Sequence, residues 1–137
     1  MSISQKAPLS DLTIDPDIAT QLNHMGDLCY SLSTASGWWT NLETGEPLER
    51  NKGEMIALIH SEISEALEGV RKDIMDDKLP HRKAEEVELA DTLIRIFDYA
   101  GGFNLDVGGA LIEKLVYNQH RADHKIKNRM KDGGKKI

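Results

Sequence analysis

An all-α, four-helix bundle-like domain is the fold this sequence predicts, on three observations. Apolar residues recur at three- and four-residue spacing through four long stretches. Connections rich in Gly, Pro and Asn part those stretches, and nowhere does the chain alternate apolar and polar residues as a half-buried strand would. The 137 residues fit one domain over 1–137, with 1–16 as an irregular lead-in and 131–137 as a loose tail.

The first helix is expected from about Asp17 to Ser36. Asp15-Pro16-Asp17 is a helix start, because acids suit the positive end of the helix dipole. Ile18, Leu22, Met25, Leu28 and Leu32 keep helical register, and Gly37 stops the run. The stretch TNLETGEPLERNKG then carries turn chemistry at Gly45, Pro47 and Gly53. A second helix is expected from near Asn51 to about Asp76, with Met55, Ile59, Ile63, Leu67, Val70 and Ile74 in one stripe. Pro80 ends the connection that follows.

A third helix is expected over His81 to Ala100, stopped by Gly101-Gly102. Val87, Ala90, Ile94 and Phe97 form its stripe, which Leu89, Leu93 and Ile96 widen. An arc that wide implies burial on two sides, in a bundle or an oligomer. The fourth helix is expected from about Leu105 to Met130 on Leu111, Leu115 and Ala122, with Gly108 and Gly109 weakening its first turn.

Composition excludes several classes of function. A net charge of −6 argues against a polymeric nucleic acid partner. No apolar run approaches the roughly 18–20 residues that span a bilayer, and the N-terminus lacks a charged-then-apolar leader pattern. The single cysteine, Cys29, cannot form an internal disulfide and fits a reducing cytoplasm. A cytoplasmic protein without a membrane partner is the expectation.

Two carboxylate pairs carry the chemistry. Glu62 and Glu65 stand three apart in HSEISEALEG, and Glu88 and Asp91 stand three apart in VELADTLIR, so each pair shares a helical face bordered by core residues. Acids at such borders repel one another unless a cation lies between them. If the second and third helices pack antiparallel, the pairs meet at one point, and four carboxylates there suit a hard divalent cation. Ordinary surface acids would satisfy each pair taken alone. Glu68 continues the first face by another turn. A di-iron site fits poorly, because none of His24, His60, His81, His120 and His124 follows a Glu by three residues.

On the expected fourth helix Lys114, Asn118, Arg121 and Lys125 follow spacings of four, three and four, which is one face. Ammonium, amide and guanidinium groups in a row match a polyphosphate, although a solvated outer face would look the same. Trp38 or Trp39 offers a ring for stacking on a base, or else plugs the end of the bundle.

Together these residues resemble the MazG-like branch of the all-alpha NTP pyrophosphatases, a superfamily that includes dimeric dUTPases and dCTP pyrophosphatases. Its Glu-x-x-Glu, spacer and Glu-x-x-Asp are similar to Glu62, Glu65, Glu88 and Asp91. Its later Lys, Asn and Arg are similar to Lys114, Asn118 and Arg121 in EKLVYNQHR, and its Gly-Lys-rich end to GGKKI. The resemblance runs from about Leu22 to the C-terminus. It implies an enzyme that converts a (d)NTP to (d)NMP and pyrophosphate by water attack at the α-phosphate. It further implies Mg²⁺, with Mn²⁺ as a substitute, on the four acids, and Glu62 or Glu65 orienting the water. Lys114, Asn118 and Arg121 would take the phosphates, Trp38 or Trp39 the base, and the chain would form a homodimer or homotetramer. The basic stretch ADHKIKNRMKD, with His124 and Lys125, and the long polar loop after the first helix depart from the family pattern. Alternatives are a hydrolase of a modified nucleotide or alarmone, and a helical module that binds nucleotide or metal without cutting.

Overall fold

The computed structural model describes residues 7–137, and in it the chain is all-helical, with no strand among the described residues. Five α-helices follow in order: α1 (Asp17–Ala35), α2 (Lys52–Lys72), α3 (Ala84–Gly102), α4 (Val107–Gln119) and the single turn α5 (Ile126–Arg129). Contacts divide the chain into two compact units. One comprises residues 23–105 and the other residues 106–137 with the lead-in through Leu22.

In the larger unit each helix end has a local cause. Asn51 caps α2 by accepting from the Glu54 N–H at 3.0 Å. That helix closes at Asp73, whose φ of 48° is left-handed, so it stops short of the expected Asp76. Asp76 instead organises the connection: it is buried, and its carboxylate accepts from the N–H groups of Lys78 (2.9 Å) and Leu79 (2.6 Å). Glu86 reaches back to the Lys83 N–H at 3.0 Å, which sets the start of α3 three residues later than expected.

The helices α2 and α3 run antiparallel. Lys52 meets Phe103, Glu62 meets Arg95 and Gly69 meets Ala84, so contacts retreat along α3 as they advance along α2. A Cβ on Gly69 would sit 3.0 Å from that of Ala84, which shows how closely the backbones approach. Gly101 and Gly102, expected to stop α3, are its last two residues. A Cβ on Gly101 would meet the Gly26 carbonyl oxygen at 2.6 Å, and one on Gly102 would strike the Trp39 ring. They also allow close packing against α1 and its following turn, and α3 ends at Gly102.

The core of this unit is small-residue and polar. Cys29, Trp39, Met55, Ala66, Ala84 and Ala100 are buried, together with Thr92 and Asp98. Trp39 stands edge-on to Tyr30 (centroids 5.3 Å apart) and to Phe103 (5.5 Å). The broad stripes expected to fill the core largely remain outside it. Ile63, Leu67 and Val70 of α2, Ile74 just beyond it, and Leu89, Leu93 and Ile94 of α3 are all exposed, Leu67 by 60%.

In the smaller unit Asp106 caps α4 by accepting from the Gly109 N–H at 2.8 Å, in space that a side chain on Gly109 would fill. The expected helix to Met130 does not form. It ends at Gln119, and a 3₁₀ turn over Ala122–His124 and then α5 follow. Beyond Leu115 the apolar residues in register are Ala122, Ile126 and Met130, and the last two are exposed by 65% and 78%. With little to bury, local bonds prevail: Arg121 grips Asp123, and Asn128 Nδ2 donates to the Ala122 carbonyl at 2.6 Å. The tail is tied back rather than loose, with Arg129 donating to the carbonyls of Lys135 and Lys136. Gln119 Nε2 holds the lead-in through the carbonyls of Leu9 and Leu12. No helix of the described residues is long and apolar enough to cross a membrane.

Candidate functional site

Antiparallel packing brings three of the four predicted acids to one point. Glu62 from α2 and Glu88 and Asp91 from α3 each offer a carboxylate oxygen, and these oxygens lie within 4.8 Å of one another. All three residues are part-buried. Glu65 stands outside that set, more exposed, yet its charge reaches Glu88. Glu68 has turned to Arg71 (3.3 Å) and Lys72 (3.2 Å) at the end of its own helix.

Crowding acids into a half-buried space raises their pKa values. Burial pushes the Glu88 carboxyl up to about 7, helped by a hydrogen bond with Glu62 and by the charges of Glu62, Asp91 and Glu65. Burial and the Glu62 charge also raise Asp91. Arg95 and Lys78 oppose that rise, while Asp76 adds to it. Among the described residues the cation in hydrogen-bond contact is Arg95, whose Nε donates to Glu62 Oε1 at 2.6 Å. An all-oxygen, acid-rich donor set fits a hard divalent cation, so the cluster could hold a metal ion.

Beside Glu62 and Asp91 opens a cavity of about 610 Å³, within the larger unit. Leu58 and Ile94 give it apolar wall, Trp38 lies on its lining with 65% exposure, and Ser33, Arg50 and Asp98 mark its polar side. Asp98 is a buried hub. It accepts from Ser33 Oγ (3.0 Å) and Trp39 Nε1 (2.9 Å), and Arg50 lies 3.8 Å away. Arg50 also stacks over the Trp39 ring at 5.2 Å. The two tryptophans therefore differ: Trp39 is a structural plug with its ring enclosed, and Trp38 faces the cavity.

The basic candidates lie in the smaller unit. Lys114 sits over the Tyr117 ring at 4.7 Å, and Asn118 Oδ1 is buried with no hydrogen-bond partner among the described residues. Arg121 is clamped by Asp123 at 3.0 and 2.7 Å, which draws the Asp123 carboxyl below its usual range. Because α4 ends at Gln119, Arg121 and Lys125 do not continue the face of Lys114 and Asn118.

Sequence reasoning passed over Arg95, Asp98, Asp76, Lys78 and Arg50. Arg95 and Asp98 follow Asp91 by four and seven residues, on the same face of α3, and that spacing was a usable signal. The loop residues carried none. Compared with known protein families, with characterised proteins and with solved structures, the chain finds no match.

Proposed function

We propose that this chain is a Mg²⁺-dependent nucleoside triphosphate pyrophosphohydrolase, releasing a monophosphate and pyrophosphate. The observation that supports it most is the meeting of Glu62, Glu88 and Asp91 within 4.8 Å beside a cavity with room for a nucleotide. Glu62, Glu88 and Asp91 would hold the metal, and Glu65, which stands outside that trio, would join them on the strength of the family resemblance. Bound Mg²⁺ supplies phosphate-charge neutralisation and a more acidic water. Glu62 or Glu65 accepts a hydrogen bond from the attacking water and orients it towards the α-phosphorus. The carboxyls of Glu88 and Asp91, raised while no cation is present, must be deprotonated for this role.

The exposed ring of Trp38 stacks on the base, and the cavity wall at Leu58 and Ile94 keeps water from the nucleoside. Lys114, Asn118 and Arg121 take the phosphates on the strength of the family resemblance alone. The apolar residues left uncovered on α2 and α3 favour a homodimer or a tetramer built from it.

The test is to incubate the chain with Mg²⁺ and each common NTP and dNTP, following pyrophosphate release against an EDTA control. Metal-dependent pyrophosphate with equimolar monophosphate is the expected result. Inorganic phosphate in place of pyrophosphate would overturn the reaction class. Silence on every substrate, with the fold intact, would move the assignment to a modified nucleotide or to a module that binds without cutting.

A further inference from the structure

We infer that Arg95 is an internal counter-cation that competes with the metal for Glu62 and so sets the metal concentration at which the site fills. This rests on the metal reading above and deepens it. Arg95 lies one helical turn beyond Asp91 on α3, and its Nε donates to Glu62 Oε1 at 2.6 Å. That distance marks a short, charge-assisted bond. The carboxylate side chain of Glu62 is 14% exposed and the Arg95 side chain 40%, so the acid is held inside and the guanidinium sits towards the opening.

Glu62 is at the same time a member of the acid cluster, with a carboxylate oxygen within 4.8 Å of one from Glu88 and one from Asp91. Its carboxylate thus serves both the acid cluster and one cation. A divalent ion drawn to Glu62, Glu88 and Asp91 must share Glu62 with the guanidinium or displace it. Two cations on one half-buried carboxylate repel strongly at such distances. Displacement is the easier outcome. Arg95 is anchored there by Nε, is half-exposed, and lines the 610 Å³ cavity into which a long flexible side chain can swing without backbone movement.

The competing role is an orienting one, in which Arg95 holds Glu62 in a ligating rotamer. The two roles predict opposite signs. If Arg95 competes, its removal tightens metal binding while weakening the metal-free fold, which loses a cation bonded to the cluster. If Arg95 orients Glu62, its removal weakens both.

The experiment titrates Mn²⁺ alone into the full chain by calorimetry at pH 8.5, for wild type, Arg95→Gln, Arg95→Met and Arg95→Lys. Thermal midpoints are read with and without metal. Arg95→Gln and Arg95→Met are expected to bind Mn²⁺ roughly three- to tenfold more tightly than wild type. Each should melt lower without metal and close the gap when saturated, and Arg95→Lys, which keeps the charge, should stay near wild type. The Gln and Met variants carry the same expectation, so one that fails to fold leaves the other to decide. Unchanged or weaker binding would overturn the inference while leaving the metal site standing. No Mn²⁺ binding by wild type would remove the metal reading itself, and the role of Arg95 with it.

Discussion

The α2–α3 hairpin and the segment after α4 both carried ionic residues at helical spacing, and only the hairpin brings them together. In the hairpin, spacing became geometry because both helices are capped and packed: Asn51 and Glu86 fix the starts, and Gly69 lets the backbones close on Ala84. After Gln119 the same kind of spacing had no helix to act through. Arg121 lies in extended backbone and is spent on Asp123. A charge pattern is informative only as far as an apolar stripe beneath it continues, and in the C-terminal segment that stripe fails at Ile126 and Met130.

The sharpest way to break this contrast is catalytic. Glu62→Gln or Asp91→Asn should lower pyrophosphate release at least about a hundredfold while the circular dichroism spectrum keeps its helical form. Retained turnover in both would mean that the hairpin acids are merely structural. Next in size, Asp98→Ala should cost about 3 kcal/mol in urea unfolding, since it strands the buried donor of Trp39 and the part-buried one of Ser33. A loss under about 0.5 kcal/mol would show that the hub is not a support of the cavity.

The acid cluster also predicts a pH dependence. The Glu88 carboxyl is raised to about 7 in the folded chain, so the folded state keeps a proton that the unfolded chain releases in the ordinary glutamate range. This contribution is full below that range and is lost as pH rises through about 7. Metal-free thermal midpoints should therefore fall from about pH 4.5 to about 7, with a shallower fall in Glu88→Gln. Equal slopes in the two proteins would remove Glu88 as the cause. The smallest effect belongs to the C-terminal segment. Arg121→Ala should change stability by less than about 1 kcal/mol, because its partner is local and partly solvated. Its influence, if it meets phosphate, should appear as a raised KM, and an unchanged KM would exclude it from the site.

Much of the architecture was legible in the sequence. Apolar periodicity and the Asp15-Pro16-Asp17 start located α1 closely, and three of the four acids of the expected cluster meet. What was hidden depended on packing partners that a linear pattern cannot name. Gly101 and Gly102 do close α3, and the pattern could not show that each also makes room for another element. The stripe from Ile63 to Ile74 looked like core, whereas α2 buries Ala66 and Gly69, whose small size decides the approach to α3. Trp38 and Trp39 are adjacent and chemically identical, and the Asp98 carboxylate together with Tyr30, Phe103 and Arg50 makes one ring enclosed and leaves the other open.

The Asp98 hub also has a kinetic consequence. Its bonds to Ser33 and Trp39 close over 65 and 59 positions of chain, whereas the Glu62–Arg95 bond closes over 33. Shorter loops lose less entropy on closing and form sooner, so the acid hairpin assembles before the cavity wall that α1 provides. The reverse order holds on opening: α1 and its following turn peel away first, and amide exchange in α1 should outrun that in α2 and α3.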